Sequence, residues 1–218
     1  MAKRTAFVTI GQAPRDDVTP EILAEVRCPL DVTEVGVLDG LADAAIDALA
    51  PAADEERLVS RLADGREVVL AKVKIQQRLQ RLFEELDKES YDLIVLLCTG
   101  HFQPFRVNSL FIEPQQVVDH FVQGLAYGAG TLGVLVPNKK QIGEFHGIDG
   151  MRTTVSFASP YGEDRFEEAG RELSGTDLVV MHCMGYSEAM RRRVAAATNR
   201  PVMLSRRMVA HAIDLLLT

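Results

Sequence analysis

The chain has 218 residues, of which 47% are hydrophobic and 25% are charged, and its formal net charge at neutral pH is −7. This balance is ordinary for a globular protein, and the length suffices for one large domain or two small ones. The acidic charge argues against a nucleic-acid partner, because no basic stripe is available to neutralise phosphates. We interpret the basic clusters at residues 191–193 and 206–207 as solvated helix faces.

In chain order, the first half of the sequence alternates predicted strands with predicted helices. Short apolar runs bounded by turn signals predict strands at residues 5–10, 31–38, 66–73 and 91–97. A turn follows the first of these at residues 11–15. Helical periodicity and capping signals predict helices at residues 16–26, 42–49, 54–62 and 74–88.

The second half begins with a predicted loop at residues 101–112 and continues the alternation. Strands are predicted at residues 131–136, 153–158, 176–183 and 201–204. Helices are predicted at residues 115–125, 139–145, 163–173, 187–197 and 206–217. Alternating strands and helices imply parallel sheets with right-handed crossovers. We therefore predict an α/β fold of two similar lobes, each with a roughly four-stranded parallel sheet flanked by helices.

The predicted N-terminal lobe comprises residues 1–105 and is joined by the C-terminal helix at residues 205–218, and residues 106–204 form the other lobe. The first apolar run is too short for a signal peptide or a membrane helix, so we expect a cytoplasmic protein with no membrane partner. Three widely spaced cysteines and five scattered histidines favour neither a disulfide framework nor a zinc site. We expect reduced thiols and no metal.

Two stretches repeat one plan, YDLIVLLCTG at residues 91–100 and TDLVVMHCMG at residues 176–185. In each, an apolar run ends at a cysteine, Cys98 or Cys183, and a glycine follows two residues later. Ligands of open α/β sheets bind outside the carboxyl ends of the strands, which is where both thiols are predicted to lie. The alternative is that each cysteine is an ordinary small buried hydrophobe.

Polar residues near these strand ends are candidates for the same pocket. His101 lies in the loop after Cys98 and could enter the cleft, whereas strand alternation directs His182 away from Cys183, into a packing role. Arg15 and Arg106 could each bind a substrate carboxylate, or form surface ion pairs. Tyr186 could offer a hydroxyl at the cleft edge, or pack in the core.

The segments TIGQAPRDDV, LLCTG, NSLFIEP, MHCMGY and LSRRMVAHAIDLLL resemble the AroM family over nearly the whole chain. That family is placed in the aspartate/glutamate racemase superfamily, so the resemblance implies two lobes related by a pseudo-twofold axis with a cleft between them. It also implies that Cys98 and Cys183 match the two cysteines that remove and return an α-proton without a cofactor. Glu113 resembles a glutamate that opens the second lobe, which we interpret as structural. A homodimer is one possible assembly.

The chain departs from the racemase pattern at the residues that bind the substrate in racemases. Thr99-Gly100 and Met184-Gly185 stand where racemases place Asn-Thr and Thr-His or Thr-Glu, and Gly11-Gln12 replaces the Asp-Ser that receives the amino group. With Arg15 nearby, the pocket is predicted to favour anionic groups over an ammonium. The predicted substrate-binding residues are Gly11, Gln12, Arg15, Thr99, Gly100, His101, Met184, Gly185 and Tyr186.

We predict a cofactor-independent racemase, epimerase or isomerase that acts on a small carboxylate by acid/base chemistry of two cysteines. A thiolate base needs a lowered pKa, and we expect the start of the helix after each strand or a nearby cation to provide it. One alternative is a single-cysteine isomerase or decarboxylase of a dicarboxylate. The other is a non-catalytic small-anion binding or regulatory protein.

Overall fold

The computed structural model describes residues 1–125, 128, 130–145, 147 and 151–218. Its first half contains strands and helices in the order β1 Lys3–Thr9, α1 Thr19–Glu25, β2 Leu30–Gly36, α2 Asp43–Asp47, β3 Arg57–Arg61, β4 Glu67–Ala71, α3 Lys72–Leu86, β5 Leu93–Leu96 and β6 Phe111–Ile112. Its second half continues with α4 Pro114–Leu125, β7 Thr131–Val136, a 3₁₀ turn Lys139–Ile142, β8 Arg152–Phe157, α5 Phe166–Glu172, β9 Leu178–Met181, α6 Glu188–Thr198, β10 Val202–Leu204 and α7 Ser205–Leu217. None of the helices in these described ranges is long and apolar enough to cross a membrane.

The strands form two four-stranded sheets with the orders β2-β1-β5-β6 and β10-β9-β7-β8. Every strand pairing within these two sheets is parallel. Read in reverse, the second order is β8-β7-β9-β10, so β1, β2, β5 and β6 correspond to β7, β8, β9 and β10 by position and direction. The predicted fold class, two similar lobes with parallel four-stranded sheets, is confirmed.

Residues 54–73 differ from the prediction, because they form an antiparallel hairpin of β3 and β4 instead of a helix followed by a sheet strand. Asp64 and Gly65 lie at the tip, and Gly65 has φ +93°, which suits glycine. An Asp-Gly pair between apolar runs is a strong hairpin signal that the helical interpretation of residues 54–62 overlooked. The fourth strand of the first sheet is therefore β6, inside the predicted loop and beyond the predicted lobe boundary at residue 105.

Side-chain alternation along β5 fills the core on both faces of the first sheet. Leu93, Val95 and Leu97 pack with Phe7 and with residues of α1 and α7. Ile94, Leu96 and Cys98 pack in the opposite layer with residues of α3. A strand covered on both faces has no polar side, which is why β5 appears in the sequence as a continuous apolar run.

The C-terminal helix α7 follows the second sheet but packs on the core of the first lobe. Its residues Val209, Ala210 and Ile213 lie in the same apolar cluster as Phe7 and Ile22. Arg206, at the start of this helix, is 1% exposed. The interpretation of Arg206 as part of a solvated face is therefore wrong, since its guanidinium is needed for buried hydrogen bonds that the spacing of charges does not predict.

Candidate active site

Cys98 and Cys183 follow the equivalent strands β5 and β9, and both line one cavity between the lobes. Each thiol accepts a hydrogen bond from the backbone N–H two residues later, Gly100 N to Cys98 Sγ at 3.4 Å and Gly185 N to Cys183 Sγ at 3.4 Å. The repeated sequence plan thus produces a repeated local geometry. The two thiols face a common space from the two lobes.

The cavity has a volume of about 90 Å³. Because roughly 10–15 Å³ of such volume suffices for one water molecule, the cavity has room for several water-sized groups and suits a small ligand. Its walls come from both strand ends, from the β3–β4 hairpin and from the segment after β7, and include Arg15, Ser60, Thr99, His101, Tyr161 and His182.

Burial raises the pKa of both thiols, that of Cys98 to about 12. The hydrogen bond from the glycine two residues later and the positive charge of Arg15 act in the opposite direction on each thiol, but burial is the larger effect. The expectation of low-pKa thiolates is therefore wrong for the ligand-free protein. After Cys98 the next helix is α4, which begins only at Pro114, beyond β6.

Arg15 lies in the cavity wall, but most of its donors are already in use. Its Nε and Nη2 donate to the two carboxylate oxygens of Asp17, both at 2.9 Å, and its Nη1 donates to Thr9 Oγ1 at 2.8 Å. Nη2 also donates to the hydroxyl of Tyr161 at 2.7 Å. The bidentate edge of this guanidinium binds Asp17, so Arg15 provides positive potential and holds Tyr161 at the cavity.

Arg206 fixes the loop that carries the second thiol. Its Nε and Nη2 donate to the backbone oxygen of Met184 at 3.1 and 2.7 Å, and its Nη1 donates to the backbone oxygen of Asp17 at 3.0 Å. Nη1 also lies 2.9 Å from a carboxylate oxygen of Glu21. One buried guanidinium therefore connects the Cys183 loop to the segment that carries Arg15.

Sequence reasoning missed two parts of the site. Tyr161 lies in the turn after β8, and Gly185 approaches it so closely that a Cβ there would lie 2.3 Å from the Tyr161 hydroxyl. The hairpin contributes Arg57, Leu58, Val59 and Ser60 to the cavity. Tyr161 could have been predicted from its position after a strand. The hairpin could have been predicted from its Asp-Gly tip.

Most of the predicted binding residues line the cavity, and three do not. Arg15, Thr99, Gly100, His101, Met184 and Gly185 are in its wall. Gly11 packs against Ser60 and Arg61 of the hairpin. The side chain of Gln12 accepts from Ala63 N at 2.9 Å, and Tyr186 is completely buried with its hydroxyl donating to Ala158 O at 2.8 Å. Arg106 is exposed and lies outside the cavity wall.

A second cluster of polar side chains lies where α4 passes the ends of β5 and β9. The rings of His101 and His182 stack with centroids 6.2 Å apart, and Phe145 meets His182 edge-on. Metal-binding atoms of His101, Asp119 and His182 all lie within 4.8 Å of one another. Two of the histidines that are scattered in the sequence, His101 and His182, therefore lie next to each other in the fold. Burial lowers the pKa of His182 to about 3.

The chain shares its fold with racemases, an isomerase and a decarboxylase. A double mutant of arylmalonate decarboxylase, in liganded form, superposes with TM-score 0.60 at 11% identity, covering 99% of this chain and 93% of that one. The maleate isomerase of Pseudomonas putida gives TM-score 0.58 at 14% identity, covering 100% and 93%. The aspartate racemase of Picrophilus torridus gives TM-score 0.55 at 12% identity, covering 97% and 93%.

These likenesses define the fold: the two-lobed architecture is the one found in arylmalonate decarboxylase, maleate isomerase and aspartate racemase. The AroM protein family matches residues 5–217. The chain belongs to the AroM family. No curated protein matches the chain significantly by sequence.

Proposed function

We propose that this protein is a racemase, epimerase or isomerase that acts on a small carboxylate through Cys98 and Cys183, without an organic cofactor. The observation that carries the proposal is that both thiols line one cavity from equivalent strand ends of pseudo-symmetric lobes. A binding protein has no need of two thiols in equivalent positions. Proton removal from one side of a carbon and return from the other side does need them.

In the proposed reaction, one cysteine as thiolate takes the proton from the carbon beside the substrate carboxylate. The electron pair of the broken C–H bond is delocalised into that carboxylate, and the other cysteine donates its thiol proton to the opposite side of the same carbon. The two sulfurs have then exchanged protonation states, and the substrate has inverted. Atoms and charge balance without an oxidant or reductant.

Burial favours the protonated form of both thiols in the ligand-free cavity, so one of them must lose its proton to water before it can act as the base. Arg15 lowers the pKa of both thiols against the larger effect of burial, and Arg206 does so for Cys183. Cys183, which lies near both guanidinium groups, is therefore the thiol that we assign as the first base.

The substrate is proposed to be small and anionic. Three cations of the described cavity wall already have acidic partners: Arg15 pairs with Asp17, Arg57 with Glu144 and Lys72 with Glu56. A neutral hydrogen-bond donor is therefore the group that we look for as the partner of a substrate carboxylate. Ser60 is 1% exposed, and its hydroxyl has no hydrogen-bond partner among the described residues. A buried hydroxyl of this kind gains most from a ligand that accepts its hydrogen bond, so we assign Ser60 to the substrate carboxylate.

A non-catalytic anion-binding role is the second candidate, and the raised pKa of both thiols favours it. A thiol that stays protonated can line a pocket without reacting. Under that function a small carboxylate would bind and stabilise the fold, but no C–H bond would exchange with solvent.

The experiment that decides between them is proton NMR of α-hydrogen exchange in D₂O for a panel of amino, hydroxy and dicarboxylic acids. The wild-type protein should exchange at least one member, and Cys98→Ser and Cys183→Ser should each lose at least about a hundredfold in rate. Cys28→Ser is the matched control, because Cys28 is outside the cavity wall, and it should exchange at the wild-type rate. Circular dichroism establishes that the variants are folded.

Full exchange activity in either cavity variant would exclude the two-thiol mechanism. If a panel member raises the melting temperature of the wild-type protein but no member exchanges, the binding role is the better description.

A further inference from the structure

His101, Asp119 and His182 are far apart in the sequence, and the fold brings them together from three different elements. His101 lies in the loop after β5, His182 directly follows β9, and Asp119 lies on α4. The candidate donor atoms of the three side chains all lie within 4.8 Å of one another. Donors around a tetrahedral zinc ion lie about 3.3 Å apart, so adjustments of about 1.5 Å or less would complete such a set.

The surroundings of His182 point to a ligand. Its side chain belongs to a residue that is 7% exposed, and its Nε2 atom is buried with no hydrogen-bond partner among the described residues. A buried imidazole nitrogen without a partner loses its hydration on folding and gains nothing in return. A metal ion can bind to this nitrogen, because a neutral imidazole donates its lone pair to zinc and similar ions.

The remaining contacts are of the kind that supports metal ligands. Gln115 Nε2 donates to Asp119 Oδ1 at 2.7 Å, which orients the carboxylate. Phe145 meets the ring of His182 edge-on with centroids 5.3 Å apart, which restricts its rotation. Hydrogen bonds to the ligand side chains and apolar walls of this kind fix the direction of the donor atoms at metal sites.

We infer that His101, Asp119 and His182 form a binding site for one divalent transition-metal cation, with zinc as the representative ion. Two imidazoles and one carboxylate are a donor set that zinc and other borderline cations accept, and a fourth position is left for water or an anion. His101 and His182 also line the cavity, so this open position lies beside the thiol site. The ion would join the two lobes, since its ligands come from both.

The test is metal titration of the full-length protein after removal of metal with EDTA. Binding of Co²⁺ is followed by its visible absorption, and binding of Zn²⁺ by competition with a chromophoric chelator. We expect one ion per chain. Asp119→Asn and His182→Gln should each weaken binding at least about tenfold, as loss of a ligand requires. Zn²⁺ should also raise the melting temperature of the wild-type protein.

Two further variants identify the site. His120→Gln changes the exposed neighbour of Asp119 on the same helix and should leave the affinity unchanged. The double variant with Cys98→Ser and Cys183→Ser should bind Co²⁺ as the wild type does, with no thiolate-to-cobalt charge-transfer band in either protein.

The inference is overturned if the wild-type protein binds no stoichiometric metal, if Asp119→Asn retains wild-type affinity, or if the cysteine double variant loses the ion. Asp119→Asn is the conservative variant that keeps the test valid should His182→Gln fail to fold. The outcome is independent of the proposed function, because exchange is measured through the thiols and metal binding is measured without substrate.

Discussion

Burial moves the pKa values of several titratable side chains in or near the cavity toward their neutral forms. Burial raises the pKa of Cys98 to about 12 and that of Glu113 to about 7, and it lowers that of His182 to about 3. Loss of hydration penalises the charged form of an acid and of a base alike, so the shifts have opposite signs. The result is a cavity wall whose charge near pH 7 lies mainly on its paired residues, such as Arg57 and Glu144.

Glu113 provides a pH-dependent test of this burial. Its pKa is about 7 in the folded protein against 4.5 ordinarily. Between these values the folded state holds more protons than the unfolded state, so the contribution of Glu113 to stability falls as pH rises from about 4.5 to 7 and stays low above. We expect Glu113→Gln to raise the free energy of unfolding by about 1–3 kcal/mol at pH 8, after allowance for solvent screening, and to change it little at pH 4.5.

Urea denaturation at the two pH values measures this difference. Glu163→Gln, which removes a carboxylate from an exposed position, is the control and should show no such gain. Equal stability of Glu113→Gln and wild type at pH 8 would show that Glu113 is hydrated in the folded protein.

At the scale of elements, the β3–β4 hairpin is the part of the first lobe that reaches across the cavity. Arg57 of the hairpin forms an ion pair with Glu144, Gln141 Nε2 donates to Arg57 O at 3.0 Å, and Ser159 donates to Glu67. The ion pair is partly buried, since its two side chains are 8% and 22% exposed. The hairpin is thereby attached to the second lobe as well as to the first.

Glu144→Gln should loosen the hairpin without unfolding the lobes. Loss of the charge-assisted contact to Arg57 removes about 1–2 kcal/mol locally, which corresponds to roughly five- to thirtyfold faster hydrogen exchange of the hairpin amides. Amides of β1 should keep their wild-type rates. Mass-spectrometric hydrogen exchange reports both segments at once.

The matched variant for this experiment is Glu85→Gln, which removes one member of an exposed pair with Lys88. It should leave hairpin exchange unchanged. Unchanged hairpin exchange in Glu144→Gln as well would mean that the remaining contacts hold the hairpin by themselves.

At the scale of the whole molecule, the two lobes are joined by α7 and by Arg206, a buried residue in its first turn. The helix follows the second sheet and covers the first, while Arg206 bonds Met184 of one lobe and Asp17 of the other. Replacing one member of a buried charged network leaves its partners without compensation. This arrangement connects the relative position of the two thiols to Arg206, a residue that lies outside the cavity wall and contacts Met184 within it.

We expect Arg206→Met to lower the free energy of unfolding by about 3–5 kcal/mol. The neighbouring Arg207→Met is the control, because Arg207 is 44% exposed and lies 3.7 Å from Glu25, and such a surface pair contributes less than about 1 kcal/mol. Urea unfolding curves for the two variants measure both values. Equal losses would show that charge, and not the buried hydrogen bonds of Arg206, is responsible.

Local pattern alone was sufficient for the second sheet, for three of the four strands of the first sheet and for the positions of the thiols. The apolar runs that end at Cys98 and Cys183 predict buried parallel strands, and all four strands of the second sheet were predicted at nearly their observed positions. The repeated plan also predicted that both thiols lie at the ends of buried strands, for the same reason. The burial of a strand and the turn that follows it are determined by residues that are adjacent in the sequence. They can therefore be predicted from local pattern.

Only the tertiary structure decided which distant residues surround those thiols. Tyr161, Ser60 and His182 reach the cavity through the hairpin and the segments after the strands, and Asp119 of α4 approaches His101 and His182. Burial of Arg206 and the raised pKa values of the thiols likewise follow from what packs around them. Hydrophobic periodicity predicts which face of an element is buried, but desolvation and polar contacts depend on the partner that covers it, and that partner is set by long-range packing.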